Sequence, residues 1–237
     1  PRSMPTFFEK LDLASRYYSK PPEFLSTHPV TTSRIADSRG RAEQYPYKQY
    51  ADSESYQLTR AKLRVMTSNA PERLLRELDS ELEENRKFGR HAVLYARALV
   101  LARLGKSDRA IDDLRELVAA RPEQVRFRVA LADQELLSND PRRGLMTYRE
   151  AYSLFPDSKQ LVRGYADALI RNGEARKALA ILGDYARVQH NDATLYRLQA
   201  EAYGQVGKAM DSRMALAEHF YHIGELDAAI HQLTLAA

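Results

Sequence analysis

The stretch Leu94-Tyr-Ala-Arg-Ala-Leu-Val-Leu101 contains the first of four alanines that stand 34 residues apart. The four are Ala98, Ala132, Ala166 and Ala200. A fixed period of this length indicates a repeated helical hairpin, in which a small residue is needed where two helices cross closely. The sequence therefore predicts a helical solenoid in the second half of the chain.

Other positions recur in the same frame. Gly105, Gly173 and Gly207 follow the first helix of their units, where the chain needs a positive φ, and Pro122 and Pro156 follow second helices. This pattern is typical of tetratricopeptide repeats. The alternative, a nonrepetitive all-helical domain, requires several offsets to agree by chance.

The period breaks after Gly207, because the next glycine, Gly224, follows only half a repeat later. We expect a helix over residues 209–223 to close the fourth repeat and the residues after Gly224 to begin a final half-repeat. The predicted repeat domain is therefore residues 91–237.

Composition limits the possible functions. The 237 residues are 44% hydrophobic, which suffices for a substantial core, and the absence of cysteine excludes a disulfide framework and thiol chemistry. No apolar run approaches 18 residues, so we expect no membrane span. The net charge of +4 arises from interspersed Lys+Arg 36 and Asp+Glu 32, so we expect no nucleic-acid partner.

Residues 1–50 form a separate region, because they hold most of the prolines and no 34-residue frame runs through them. A helix is predicted over residues 4–18, and its apolar side is formed by Phe7, Phe8, Leu11 and Leu13. A second helix is predicted from residues 31–33 to about 44. Residues 51–90 connect the two regions through helices over 53–66 and 71–88, which we interpret as a degenerate repeat pair capping the solenoid.

Two segments of the first region carry a family resemblance. They are Met4-Pro-Thr-Phe-Phe-Glu-Lys-Leu11 and Pro21-Pro-Glu-Phe-Leu-Ser-Thr-His-Pro-Val-Thr-Thr-Ser-Arg-Ile-Ala-Asp37. Followed by tetratricopeptide repeats, they resemble the C-terminal part of the BepA-type zinc metallopeptidases, relatives of HtpX. The resemblance implies an all-α chain in which residues 1–50 are the helical tail of a zincin-like metallopeptidase domain.

The resemblance also implies a function. The parent protein is expected to be a periplasmic zinc metalloendopeptidase and chaperone-like factor in outer-membrane protein assembly and quality control. In this family two histidines of an H-E-x-x-H motif and a later glutamate hold the zinc. This sequence contains no H-E-x-x-H, so the chain alone is expected to hold no zinc, to contribute no catalytic residue and to be inactive.

His28 is the residue of this chain that the resemblance places closest to the zinc active site. The His-Pro loop lies close to the active site in the similar proteins, so His28 is expected to face the zinc as an accessory or occluding ligand, or as a hydrogen-bond donor. Pro29 and Arg34 would belong to the same active-site loop. The alternative is that His28 only orders the loop and that Arg34 fixes it through an ion pair.

The repeats are expected to bind protein in a groove lined by their first helices. The predicted groove residues are Tyr95, Leu99, Arg103, Arg126, Val129, Asp133, Leu136, Arg163, Asp167, Arg171 and Arg197. Arginines among apolar and aromatic groups suit an extended or helical segment with some acidic residues. By resemblance the partners are outer-membrane proteins or their assembly machinery; the alternative is a solvated groove without a ligand.

A different class of function is a free-standing tetratricopeptide scaffold or co-chaperone without protease activity. The carboxylate clamp of co-chaperones is absent, because Tyr95 and Leu99 occupy its lysine and asparagine positions. A scaffold also has no reason to contain residues 1–40. Three histidines near the C-terminal end of the sequence, His219, His222 and His231, are interpreted as part of a hydrated surface. The alternative is that they form a metal-binding cluster.

Overall fold

The structure is a computed structural model that describes residues 3–15, 32–45, 52–84, 89–138, 141–189 and 191–236. Within these ranges the regular secondary structure consists of thirteen α-helices, and no strand occurs among them. The chain divides into two compact units, Pro1–Asp52 and Ser53–Ala237.

The first unit contains helices α1 (Ser3–Ser15) and α2 (Thr32–Glu43), which pack against each other. An ion pair joins Arg39 to Glu9, and the guanidinium of Arg34 lies 5.8 Å from the centre of the Phe8 ring. The predicted apolar side of α1 is largely uncovered: Phe8 is half-buried, but Phe7, Leu11 and Leu13 are exposed. The buried residues of α1 are instead Pro5 and Asp12.

The second unit begins with helices α3 (Glu54–Thr67) and α4 (Pro71–Glu83), which both pack against α5 (Arg90–Arg103). Leu58 of α3 and Leu78 of α4 are fully buried in one cluster with Leu94 and Leu101 of α5. These two helices therefore extend the core of the repeats toward the N terminus.

The remaining helices form a series of hairpins in which each helix packs against the next one in the sequence. They are α6 (Ser107–Ala120), α7 (Val125–Leu136), α8 (Pro141–Leu154), α9 (Lys159–Arg171), α10 (Ala175–Ala186), α11 (Ala193–Gln205), α12 (Ala209–Ile223) and α13 (Leu226–Ala236). The first helices also contact one another, α7 with α9 and α9 with α11. This arrangement confirms the predicted tetratricopeptide solenoid.

The four periodic alanines lie in the first helices α5, α7, α9 and α11, and all four are buried. Packing is equally tight in the second helix of the second hairpin, at Gly144. A Cβ atom there would lie 2.6 Å from Leu136 Cγ and 2.7 Å from the carbonyl oxygen of Ala132. Small residues are therefore present where the helices of a hairpin approach each other, as the repeat frame predicted.

The predicted glycine turns are confirmed. Gly105, Gly173 and Gly207 have φ values of 71°, 76° and 78°, and the residue after each donates its N–H to a carbonyl five residues back. This is the Schellman closure of a helix end, which favours glycine. Gly224 repeats it with φ 84°, ending α12 and allowing α13 to follow as the expected half-repeat.

Candidate protein-binding groove

The first helices bring their side chains onto one face of the second unit. Arg126 of α7 reaches across to α3, donating from Nη1 to Thr59 Oγ1 at 2.9 Å and from Nη2 to Ser55 Oγ at 3.2 Å. The charges of Lys62 on α3 and of Asp167 on α9 both act on the pKa of Asp133 on α7. We call the face formed by the first helices α3, α5, α7, α9 and α11 the groove.

Except for Arg126 and Leu136, the predicted groove residues fall into three rows, each of which repeats at 34-residue intervals. We call Tyr95, Val129, Arg163 and Arg197 the inner row, and Leu99, Asp133, Asp167 and Glu201 the middle row. The outer row is Arg103, Leu137, Arg171 and Gln205. The rows differ in how much of each side chain a ligand can reach.

Two members of the inner row lie beneath the surface. Tyr95 and Val129 are 4% and 6% exposed, and the ring of Tyr95 packs 5.5 Å from that of Phe127. Arg197 is exposed and donates to Glu201 at 3.3 Å. Tyr95 and Val129, which we expected on the groove surface, thus contribute to the core because the neighbouring first helix covers them.

Arg163 connects consecutive repeats. Its guanidinium donates twice to Asp192, which is 2% exposed and caps α11 by accepting from the N–H groups of Thr194 and Leu195. Burial by itself would raise the pKa of Asp192, but hydrogen bonds from Arg163 and Leu195 outweigh it and lower that pKa. The donors of Arg163 are therefore engaged within the fold.

Two further predicted arginines hold α3 in place. Arg103 donates from Nη1 to the carbonyl oxygens of Val65 at 3.0 Å and Ser68 at 2.8 Å, at the C-terminal end of α3. Arg126 makes the contacts to Ser55 and Thr59 described above. Of the arginines predicted to contact a ligand, Arg171 and Arg197 are those whose pairs lie within their own helices.

The middle row is acidic. Asp133 is open to solvent and accepts a hydrogen bond from Tyr148 Oη. Crowding by surrounding protein raises the pKa of Asp133, and the nearby charge of Asp167 raises it further. Asp167 pairs with Arg171 at 2.8 Å. With Glu201, this row places one carboxylate in each of three neighbouring repeats, so the groove is less basic than the predicted residues suggested.

Sequence reasoning missed several groove residues. Leu137 is 77% exposed, and it stands 34 residues after Arg103 and 34 before Arg171, so the repeat frame contained the signal for it. Leu136, which was predicted instead, packs against Gly144. Lys62 and Met66 of α3 were also missed, because the repeat frame does not extend into residues 51–90.

A cavity of about 350 Å³ lies at the α3 end of the groove. It is lined by Lys62, Val65, Met66, Leu99 and Arg103. Two of these residues, Leu99 and Arg103, were predicted from the sequence.

His28 and Pro29 lie outside the described residues, and Arg34 is an exposed residue of α2. Within the described ranges, no three His, Cys, Asp or Glu side chains are grouped so as to hold a metal ion. His219 Nδ1 lies 2.9 Å from the carbonyl oxygen of Ala193, and the ring of His222 stacks at 5.1 Å on Tyr196. These contacts favour a packing role for both histidines.

Among the helices that the structure describes, none is both long and apolar enough to cross a bilayer.

Comparison with known families supports the fold. Two tetratricopeptide-repeat models match residues 95–141 and 135–202. YrrB, a tetratricopeptide protein described as having an unusual peptide-binding site, is 15% identical with a TM-score of 0.52, over 83% of this chain and 95% of YrrB. TTC0263 from Thermus thermophilus is 19% identical with a TM-score of 0.55, over 77% of this chain and 98% of TTC0263. These likenesses show the solenoid fold.

Curated relatives match the whole chain. The beta-barrel assembly-enhancing protease of Escherichia coli (strain K12) is 31% identical over 237 residues, which is 100% of this chain and 48% of that protein, its C-terminal part. The Yersinia pestis protein of the same name is 30% identical over 237 residues, 100% of this chain and 49% of its own length. The chain thus spans about half the length of these relatives, and the resemblance to BepA-type proteases is confirmed.

Proposed function

We propose that the chain is the C-terminal region of a periplasmic zinc metalloendopeptidase and chaperone-like factor that acts in outer-membrane protein assembly and quality control. The observation that carries this proposal is the similarity along all 237 residues to proteases named for β-barrel assembly, including the region before the repeats. In this proposal the repeats bind substrate proteins or the assembly machinery.

The geometry supports binding of a protein segment on the middle and outer rows. Exposed Leu137 and half-buried Leu99 offer apolar surface, and Asp133 and Arg171 of the same rows add charges of both signs. Such a mixture suits a peptide whose apolar side chains are buried and whose polar groups find partners at the rim. YrrB, a protein of similar fold, is described as having a peptide-binding site.

This chain's own residues do not fit a catalytic zinc site. The sequence lacks H-E-x-x-H, and the described residues offer no grouping of three ligands. In the proposal the zinc therefore belongs to another part of a parent protein. For His28 and its neighbours Pro29 and Arg34 we propose a place beside that site. If His28→Ala in the parent protein changes neither zinc affinity nor proteolysis, His28 has only a structural role.

Binding can be tested with a fluorescently labelled outer-membrane β-barrel protein, diluted from urea into the purified chain and followed by anisotropy. The double variant Leu137→Glu, Arg171→Glu removes an exposed apolar contact and reverses an exposed charge, so we expect binding at least about tenfold weaker. Arg187→Glu is the matched control, because its side chain is 80% exposed and, among the described residues, pairs with Asp184 alone, at 3.5 Å. Equal loss in both variants, or no binding by the unaltered chain, contradicts the groove proposal.

The protease part of the proposal has a separate test. The reading frame upstream of Pro1 must encode an H-E-x-x-H motif, and the parent protein must cleave an unfolded substrate in a reaction that a zinc chelator stops. A frame without that motif favours the alternative, a tetratricopeptide scaffold or co-chaperone without protease activity.

A further inference from the structure

The cavity at the α3 end of the groove combines an apolar interior with a positively charged rim. Val65 is buried, Leu99 is half-buried, and Met66 is 66% exposed. Methionine adapts its shape to different side chains, which suits a surface that receives a ligand. The volume of about 350 Å³ lies at the low end for ligand pockets, so it accommodates one or two side chains.

Two cations border this cavity. Lys62 is exposed and forms no ion pair within 4.0 Å among the described residues, and Asp133, on which its charge acts, lies on α7. Arg103 Nη1 donates hydrogen bonds to two neutral carbonyl oxygens. These bonds hold the guanidinium in place but do not neutralise its charge. The rim therefore attracts a carboxylate, in a groove whose middle row is acidic.

The two helices that form the cavity run parallel. The start of α3 lies near the start of α5, since Glu54 is 3.9 Å from His91, and Arg103 at the end of α5 contacts the end of α3. Lys62 and Met66 are one turn apart on α3, as Leu99 and Arg103 are on α5. The cavity is thus a trough between two parallel helices.

We propose that this trough receives a large apolar side chain of a bound protein segment and that Lys62 and Arg103 pair with an aspartate or glutamate next to it in the same segment. The inference rests on the proposed function of the groove and adds a sequence preference to it. Asp133 and Asp167 repel an acidic group farther along the groove, so the acidic residue of the segment is placed at the α3 end.

The test uses nuclear magnetic resonance titrations of the whole isotope-labelled chain, because short peptides bind weakly. The probe is an acetylated and amidated Gly/Ser decapeptide with Phe-Asp at its centre, compared with Phe-Asn and Ala-Asp versions. We expect shifts at the amides of residues 62–66 and 99–103. An exposed ion pair is worth about threefold to fivefold in affinity, so Phe-Asn should bind more weakly by that factor.

Variants test whether the difference in affinity between the Phe-Asp and Phe-Asn peptides depends on the cations at the rim of the cavity. Lys62→Glu replaces an attraction with a repulsion, so we expect Phe-Asp to bind about tenfold more weakly and Phe-Asn to be little affected. Lys106→Glu is the control, because Lys106 is exposed, precedes the first residue of α6 and is not among the residues that line the cavity. Met66→Ala tests the apolar contact separately at an exposed site, and it should weaken Phe-Asp and Phe-Asn alike.

The outcomes separate this inference from the groove proposal. The trough assignment is wrong if Lys62→Glu and Lys106→Glu bind the Phe-Asp peptide equally, or if the chemical-shift changes lie only on α9 and α11. In either case the double variant Leu137→Glu, Arg171→Glu still tests whether the groove binds protein. If only a decapeptide with a free C-terminal carboxylate binds, the trough recognises the C terminus of a chain. The proposal that it binds an internal aspartate or glutamate is then wrong. If the unfolded β-barrel protein also fails to bind, the proposed function itself fails.

Discussion

Asp192→Ala is expected to destabilise the junction between the third and fourth repeats. The carboxylate caps α11 and accepts two hydrogen bonds from Arg163, and Lys159 Nζ lies 3.7 Å from it. Loss of an N-cap costs about 1 kcal/mol. Breaking a fully buried ion pair costs about 3–5 kcal/mol, but the side chain of Arg163 is 31% exposed, so solvent reduces that term to about 1–2 kcal/mol. The expected total is about 2–3 kcal/mol.

Urea unfolding followed by far-ultraviolet circular dichroism measures this loss, and a midpoint lower by about 1 M is expected. Repeat proteins can unfold in segments, so amide hydrogen exchange is measured as well, and protection should fall in α11 to α13 more than in α5 and α6. Asp184→Ala is the control, because its pair with Arg187 is exposed and contributes little. If the two variants differ by less than about 0.5 kcal/mol, the structural role assigned to Arg163 and Asp192 is wrong.

The same site predicts a pH dependence. The folded-state pKa of Asp192 is lowered, so its stabilising contribution is present above the unfolded-state pKa of about 4 and is lost as the pH falls through the folded-state value. The difference in stability between the unaltered chain and Asp192→Ala should therefore shrink below about pH 4.

Three further predictions concern single sites. Gly144→Ala forces a Cβ against α7 and should cost about 1–3 kcal/mol in urea unfolding, whereas Gly183→Ala, with nothing within 4 Å, should stabilise α10 by about 0.5–1 kcal/mol. Asp133→Asn should leave the melting temperature equal or slightly higher at neutral pH, because the surrounding protein and the charge of Asp167 raise the pKa of Asp133 even though its side chain reaches solvent; a lower melting temperature contradicts this. Arg103→Ala removes two hydrogen bonds to α3 and should cost about 1–2 kcal/mol, seen as faster hydrogen exchange at residues 62–67.

The helical architecture could be predicted from the sequence because its steric requirements are local and repeated. Ala98 and its three counterparts are small for the same reason in each hairpin, and Gly105 and its counterparts adopt the same positive φ. A requirement that recurs at a constant interval is visible in one sequence without knowledge of the packing. For the same reason, the position of Leu137 in the groove could have been predicted from the 34-residue repeat.

The accessibility of the groove residues could not be predicted in this way. Tyr95 and Leu99 lie one turn apart on α5, yet Tyr95 is buried, with its ring packed near Phe127 of α7, and Leu99 is only half-buried. The partner of Arg163 is Asp192, which is 29 residues away in the next repeat. Nothing in the local pattern around either residue indicates that pairing.

The difference between rows determines which substitutions can report on ligand binding. Glutamate in place of Arg163 or Arg126 would weaken binding even if neither residue touched a ligand, because one holds the cap of α11 and the other holds α3. Arg171 occupies the outer row and is 74% exposed, and its ion pair within the described part of the chain is with Asp167, one turn away in its own helix. A loss of binding on Arg171→Glu with an unchanged unfolding curve therefore reports contact with the ligand, whereas the same loss on Arg163→Glu does not.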